Sequence, residues 1–268
     1  EELTVEVEVP GAQQGVFHPK LWLMRFHNLE SEEVVLRLMV LTRNLTQDRS
    51  WDMALTLEGS PGKRVQEGFV ELAELVAGLP ELAVKPMDEA RIEQALRLSE
   101  ELLRTPWELP DGFDEISLRV FGPGKGGWMP EPSDRLLVIS PFCKESALNR
   151  LANSTAEPVA LLTRPDTWLK LDPKVRDRFQ RRLILHEAAE TEDGEAGATP
   201  EGADTNGLHA KVYLFERGSR LELAIGSANA TNAALITGSN IEVLAQLRGP
   251  TKRVGGIDAV LGSEGLGE

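Results

Sequence analysis

Cysteine is nearly absent. A single Cys143 in 268 residues excludes an internal disulfide framework and any cysteine-rich zinc or iron–sulfur centre. Long apolar runs are missing too: none approaches the roughly 20 residues a membrane-spanning helix needs. Basic charge is scarce, with 29 Lys plus Arg against 43 Asp plus Glu and a net charge of −14. That balance speaks against a surface that coats nucleic acid indiscriminately, but it is compatible with a local basic cleft. No secretory signal is visible, and the chain begins at Glu1 rather than Met. What is present suffices for a core. The 41% of hydrophobic residues exclude general disorder, and the length suits one large or two modest domains. The expectation is a soluble, cytoplasmic α/β protein with no membrane partner.

Strand and helix patterns alternate along the chain. Leu3, Val5, Val7 and Val9 alternate with charged residues as in a half-exposed strand. Further strand patterns run over 16–26, 34–41, 116–121, 135–140, 158–163, 208–215, 221–226 and 241–247. Helical spacing appears at 63–79, 88–104, 144–152 and 173–182. The stretch 187–206, with seven carboxylates and no large apolar residue, reads as a loop. Strands alternating with helices imply a layered α/β fold with mixed sheets flanked by helices. The Pro/Gly-rich passage TPWELPDG at 105–112 divides the chain into 1–112 and 113–268.

The informative feature is a chemical constellation that occurs twice. His18-Pro19-Lys20 opens an apolar strand, and the next strand ends in Thr42-Arg43-Asn44-Leu45-Thr46. His209-Ala210-Lys211 opens another, and its successor ends in Gly226-Ser227-Ala228-Asn229. Side chains two apart on a strand share a face, so each His projects with its Lys, Thr42 with Asn44, and Ser227 with Asn229. His18 to Asn44 is 26 positions and His209 to Asn229 is 20; a longer hairpin tip in the first half accounts for the six. Imidazole serves as nucleophile or proton donor near neutral pH, but one ring cannot do both at once. Lys and Asn supply charge and hydrogen bonds to phosphoryl oxygens. Two facing sets would supply an attacking His, a protonating His and four donors around one phosphorus, with no metal or other cofactor required.

HPK…TRNLT and HAK…GSANAT resemble the paired HxK…N motifs of the phospholipase D superfamily. The resemblance implies two pseudo-twofold-related α/β halves with the active site between them. It implies His18 and His209 as nucleophile and general acid, family precedent favouring His18 as nucleophile. It implies Lys20, Lys211, Asn44 and Asn229 as phosphate ligands. Asp52 and Glu242 best match the acidic residues that fix the tautomer of each His in that family. The fuller family pattern has Asp five positions after Lys. Here those positions are Arg25 and Glu216, one lost and one conservatively replaced. The tyrosyl-DNA phosphodiesterase-like branch lacks that Asp as well. Seventeen residues precede the first HxK motif, whereas a βαβ unit precedes the second, so the first half is expected to lack its opening elements, which an upstream segment or additional domains would supply.

Other signals are weaker. GPGKGG at 122–127 lacks the Ser/Thr of a P-loop and reads as a linker. His27 and His186 match no motif. Arg43, alternating with Thr42 and Asn44, is expected on the opposite face. Cys143 follows a buried strand and reads as a packed thiol. The resulting expectation is a metal-independent phosphodiesterase acting on nucleic acid through phosphohistidine. The alternatives are a phospholipase or phosphatidyltransferase, and a degenerate nucleic-acid-binding module of a larger protein.

Overall fold

The computed structural model describes residues 4–9, 11, 15–44, 50–185 and 207–262; His186 and the acidic stretch 187–206 lie outside them. In chain order the elements begin with β1 (Leu21–His27), β2 (Val34–Leu41), β3 (Ser50–Trp51) and β4 (Ala54–Gly59). A 3₁₀ turn (Glu67–Phe69) leads into α1 (Val70–Leu82), followed by α2 (Glu89–Arg104), β5 (Glu115–Phe121) and β6 (Ser133–Ile139). Next come α3 (Glu145–Asn153), β7 (Thr155–Leu162), α4 (Pro165–Lys170), α5 (Pro173–Arg176) and β8 (Arg181–Leu183). The last part holds β9 (Gly207–Leu208), β10 (Val212–Arg217), β11 (Arg220–Gly226), a π-helical turn (Asn232–Ile236), β12 (Glu242–Pro250), α6 (Thr251–Val254) and α7 (Ile257–Gly262). No helix among the described residues is long and apolar enough to cross a membrane.

A seven-stranded mixed sheet runs β5-β12-β11-β10-β6-β7-β8. It is antiparallel from β5 to β6 and parallel from β6 to β8. Its central strands are apolar on both faces, as a sheet covered on both sides requires. Val212 and Leu214 of β10 join one buried cluster, Tyr213 and Phe215 the other. The second cluster lies under α3, which contributes Leu148 and Leu151. The first is shared with an antiparallel three-stranded sheet, β1-β2-β4, through Leu36, Leu38 and Leu57. One continuous core therefore ties residues before and after 112 together.

The helices beside the small sheet are locally encoded. Asp88 caps α2 by accepting a hydrogen bond from the Arg91 amide at 2.9 Å. Glu71 of α1 accepts from the Val120 amide at 2.7 Å and so satisfies a donor of the edge strand β5.

Three readings of the sequence are corrected. Residues 4–9 form no strand: Val7 makes a lone antiparallel bridge to Ala83, because residues 6–8 pair with the end of α1 rather than with a sheet. The helix expected over 173–182 stops at Arg176, since Arg181–Leu183 instead joins the free edge of β7 as a parallel strand. The strand expected over 208–215 is broken around His209–Lys211 into β9 and β10, which belong to different sheets.

Candidate active site

Both HxK segments lead directly into the first strand of an antiparallel hairpin. β1 pairs with β2 (Leu21↔Val40) and β10 with β11 (Val212↔Ile225), so Lys20 lies beside the segment after β2 and Lys211 beside the segment after β11. The Lys20 carbonyl accepts from the Leu41 amide at 2.9 Å, and the Lys211 carbonyl from Gly226 at 3.4 Å. The six-residue spacing difference resolves into a tip of 28–33 against a tip of Gly218 and Ser219, plus one extra residue in each strand of the first hairpin. Gly218, at φ 55°, permits the tight turn.

The two segments are cross-linked through each other's hairpin neighbours. The His18 amide donates to the Ile241 carbonyl at 3.0 Å, immediately before Glu242. The His209 amide donates to the Trp51 carbonyl at 2.8 Å, immediately before Asp52, where β3 and β9 pair in parallel. Thr42 and Ser227 hold matching positions. Thr42 Oγ1 accepts from the Met53 amide at 2.9 Å, and Ser227 Oγ accepts from the Val243 amide at 3.0 Å. Both side chains are buried, and each fastens the strand after one hairpin to the residue following an acidic side chain.

The two imidazoles differ in their partners. His18 Nδ1 lies 2.9 Å from Glu242 Oε2, a carboxylate only 1% exposed that also accepts from Ser227 Oγ and, at its other oxygen, from Asn240 Nδ2 at 3.2 Å. A carboxylate can only accept, so Nδ1 carries a proton and Nε2 is the ring nitrogen that bond leaves over. His209 Nδ1 instead faces Lys211 Nζ at 3.2 Å. With the ammonium donating, that nitrogen is the acceptor and Nε2 carries the proton. The two rings therefore engage their neighbours differently, Nδ1 of His18 as a donor and Nδ1 of His209 as an acceptor.

Charge concentrates around them. Lys211 Nζ is buried and also donates to the Thr42 carbonyl at 3.0 Å and the His209 carbonyl at 2.7 Å, so the second segment's lysine reaches across to the first hairpin. Burial first, and then the Lys20 ammonium, push its pKa down to about 7. His209 is pushed down to about 4 by burial, then by Lys211, Arg43, Lys20 and Arg164. Lys20 is also lowered, by burial against the opposing pull of Glu242. Its Nζ donates to the His18 carbonyl at 3.1 Å. A dianion placed here would neutralise a set of cations that now destabilise one another.

The structure thus brings His18, Lys20, Thr42, His209, Lys211, Ser227 and Glu242 into one network. Asp52 is exposed and near enough to Lys211 to favour its charged form, but His209 Nδ1 is taken by Lys211 rather than by Asp52. Asn229 is half-buried, and its buried Oδ1 meets no hydrogen-bond donor among the described residues. Asn44 is exposed at the end of its segment. Glu216 is not part of the site. Five residues along β10 carry it roughly 16 Å from Lys211, where it binds Arg135 at 2.9 Å and the Ile257 amide at 2.6 Å. Arg25, at the equivalent position of the first motif, pairs with Glu101 at 2.8 Å.

Sequence reasoning missed two cations. Arg43 is 7% exposed and contributes to the lowered pKa of His209 and Lys211, so the alternation argument fails for it: β2 ends at Leu41 and the period of two ends there. Arg164 follows β7, and its signal was its place at the carboxyl end of a parallel strand, where α/β sheets gather ligand-binding groups. Cys143, buried and pushed up to about 12 by burial, is a packed thiol. Among the described residues no cluster of three or more His, Cys, Asp or Glu could hold a metal ion.

No family model and no curated protein matches the sequence. Among solved structures the chain is similar to the polyphosphate kinase of Porphyromonas gingivalis, at 14% identity and a TM-score of 0.43, over 87% of this chain and 31% of that one. It is also similar to two mutants of the yeast tyrosyl-DNA phosphodiesterase, at 12% and 13% identity with TM-scores of 0.49 and 0.47. Those matches cover 90% of this chain and 68% and 69% of the yeast chains. The chain spans less than a third of the length of the kinase.

Proposed function

We propose that this chain is a metal-independent phosphodiesterase acting on nucleic acid, with two halves, 1–112 and 113–268, meeting about a pseudo-twofold axis at the site. The observation that carries the reading is the crossed bonding of the two HxK segments, which gives His18 and His209 opposite tautomers beside shared cations. His18 Nε2 attacks the phosphorus, and the bond to the leaving oxygen breaks as His209 passes its Nε2 proton to that oxygen while the Lys211 ammonium, at 3.2 Å, gives a proton to Nδ1, so the ring stays neutral and Lys211 becomes a neutral amine. The product is a phosphohistidine carrying the retained half of the substrate. His209, now an acceptor at Nε2, takes a proton from water as its Nδ1 proton returns to Lys211; the water oxygen bonds to phosphorus and the P–N bond breaks, restoring His18. Lys20, Asn44 and Asn229 hold the non-bridging oxygens. Lys211, with three internal contacts, orients His209 and lends its charge. Nucleic acid fits better than lipid because the site gathers Lys20, Arg43, Arg164 and Lys211 in a chain of net charge −14, while no membrane-docking segment stands out.

The test is hydrolysis of single-stranded oligonucleotides in excess EDTA by the intact chain and by His18→Ala and His209→Ala. Activity is expected to persist in EDTA and to fall at least about 10³-fold in each variant, on the scale of losing a covalent or acid–base catalyst. Loss in EDTA, or near-intact turnover in either variant, would reject the scheme. A second reading, a binding module with a degenerate site, is favoured by Arg25, which stands where the family pattern has Asp and is paired with Glu101. Salt-sensitive oligonucleotide binding without cleavage, unchanged in His18→Ala, would select it.

A further inference from the structure

Phe142 is a large apolar side chain left 43% exposed, yet the loop that carries it is not loose. The loop leaves the carboxyl end of β6, next to the carboxyl end of the parallel strand β7. Ser140 Oγ donates to the Phe142 carbonyl at 2.9 Å and accepts from the Ala230 amide at 3.0 Å. Cys143 bridges to Ala230, and the Lys144 amide donates to the Ala230 carbonyl at 2.8 Å. Thr163 and Thr167 both donate to the Pro141 carbonyl, at 3.3 and 2.9 Å. The segment bearing Asn229 and the loop bearing Phe142 are thereby laced into one rigid rim.

Arg164, from the neighbouring strand end, places its guanidinium carbon 5.6 Å from the centre of the Phe142 ring. It also makes a 3.3 Å contact with Asp166, which holds its orientation. The same guanidinium is close enough to His209 to help depress its pKa. An aromatic ring backed by an arginine, held by buried hydrogen bonds beside a phosphate-binding cluster, is the chemistry that receives an unstacked base.

We propose that Phe142 and Arg164 form a stacking platform for one nucleobase of a single-stranded substrate, on the His209 side of the site. This rests on the phosphodiesterase reading above and names the substrate group that would fix the strand beside the scissile phosphate. Each base has a π-face, so the platform selects for an unpaired base rather than for a sequence.

The experiment measures binding of single-stranded oligonucleotides by the full chain, with 2-aminopurine or an abasic residue scanned through each position. Phe142→Ala is expected to weaken binding roughly tenfold and to abolish fluorescence quenching of 2-aminopurine at one position. An abasic residue at that position should weaken the wild-type chain similarly and add nothing in Phe142→Ala. Phe142→Trp should restore both signals, which separates stacking from a folding defect. Equal affinity of wild type and Phe142→Ala for the intact strand, with cleavage retained, would overturn the platform alone. A wild-type chain that neither binds nor cleaves any oligonucleotide would overturn the platform together with the reading it rests on.

Discussion

Lys211 and His209 carry the clearest chemical consequence of burial. The free protein holds His209 at about 4 and Lys211 at about 7, below their ordinary values of 6.5 and 10.5, because both are desolvated among other cations. Bound anion favours the protonated forms, so both pKa values rise on binding and protons are taken up. The sign follows: affinity for an anion should fall as pH rises. Sulfate, which does not titrate in this range, is the probe. Calorimetry at pH 6–8 in buffers of different ionisation enthalpy should show net proton uptake; proton release, or none, would contradict the electrostatics of the site. The residue pattern of this cluster was legible because His, Lys and Asn occur twice in the same order. The choice of partner was not. Asp52 and Glu242 hold matching sequence positions, but only Glu242 reaches an imidazole, because Lys211 occupies the Nδ1 side of His209. That difference depends on side-chain placement, which spacing does not encode.

The hairpins are the elements on which the site depends, and their close packing leaves little tolerance. Gly226 ends β11 immediately before Ser227, and a Cβ there would lie 2.1 Å from the Val243 carbonyl of the adjacent β12. Neither backbone can yield without parting Ser227 from Glu242, whose contact fixes His18. Gly226→Ala should cost about 1–3 kcal/mol or more in stability and also reduce turnover, measured by denaturant midpoint and by kinetics on the folded fraction. An unchanged midpoint would show that the strands are looser than this packing implies. β1, β2, β10 and β11 could be read from sequence because their apolar runs are bounded by the HxK and Asn segments. β4 escaped notice although Leu55 and Leu57 alternate with exposed Ala54 and Thr56. Six residues carry too short a period to stand out against the loops around them. The premature end of α5 was also illegible, since Val175 and Phe179 keep helical spacing while the free edge of β7 draws the following residues into pairing.

At the scale of the molecule, one core holds the small sheet against the large one and so fixes the two HxK segments across from each other. The large sheet has β6 beside β10, whereas β1 is an edge of its own sheet. The sequence made a βαβ unit before the second motif legible, and β6, α3 and β7 form it. What it could not anticipate was the interlocking by which each motif borrows the backbone carbonyl just before the other half's acidic residue, Ile241 for His18 and Trp51 for His209. Such pairings join residues 223 and 158 positions apart, and no local pattern announces them. The central claim is that a single phosphorus is attacked by His18 while His209 serves the departing and incoming oxygens. The most direct measurement is rapid acid-free quenching of a turning-over reaction with a 5′-³²P-labelled nucleotide p-nitrophenyl ester, followed by peptide mapping. That leaving group needs no proton, so label is predicted on the peptide containing His18, and it should accumulate in His209→Ala, where the water lacks its base. Label on the peptide containing His209, or none in either protein during turnover, would contradict the account.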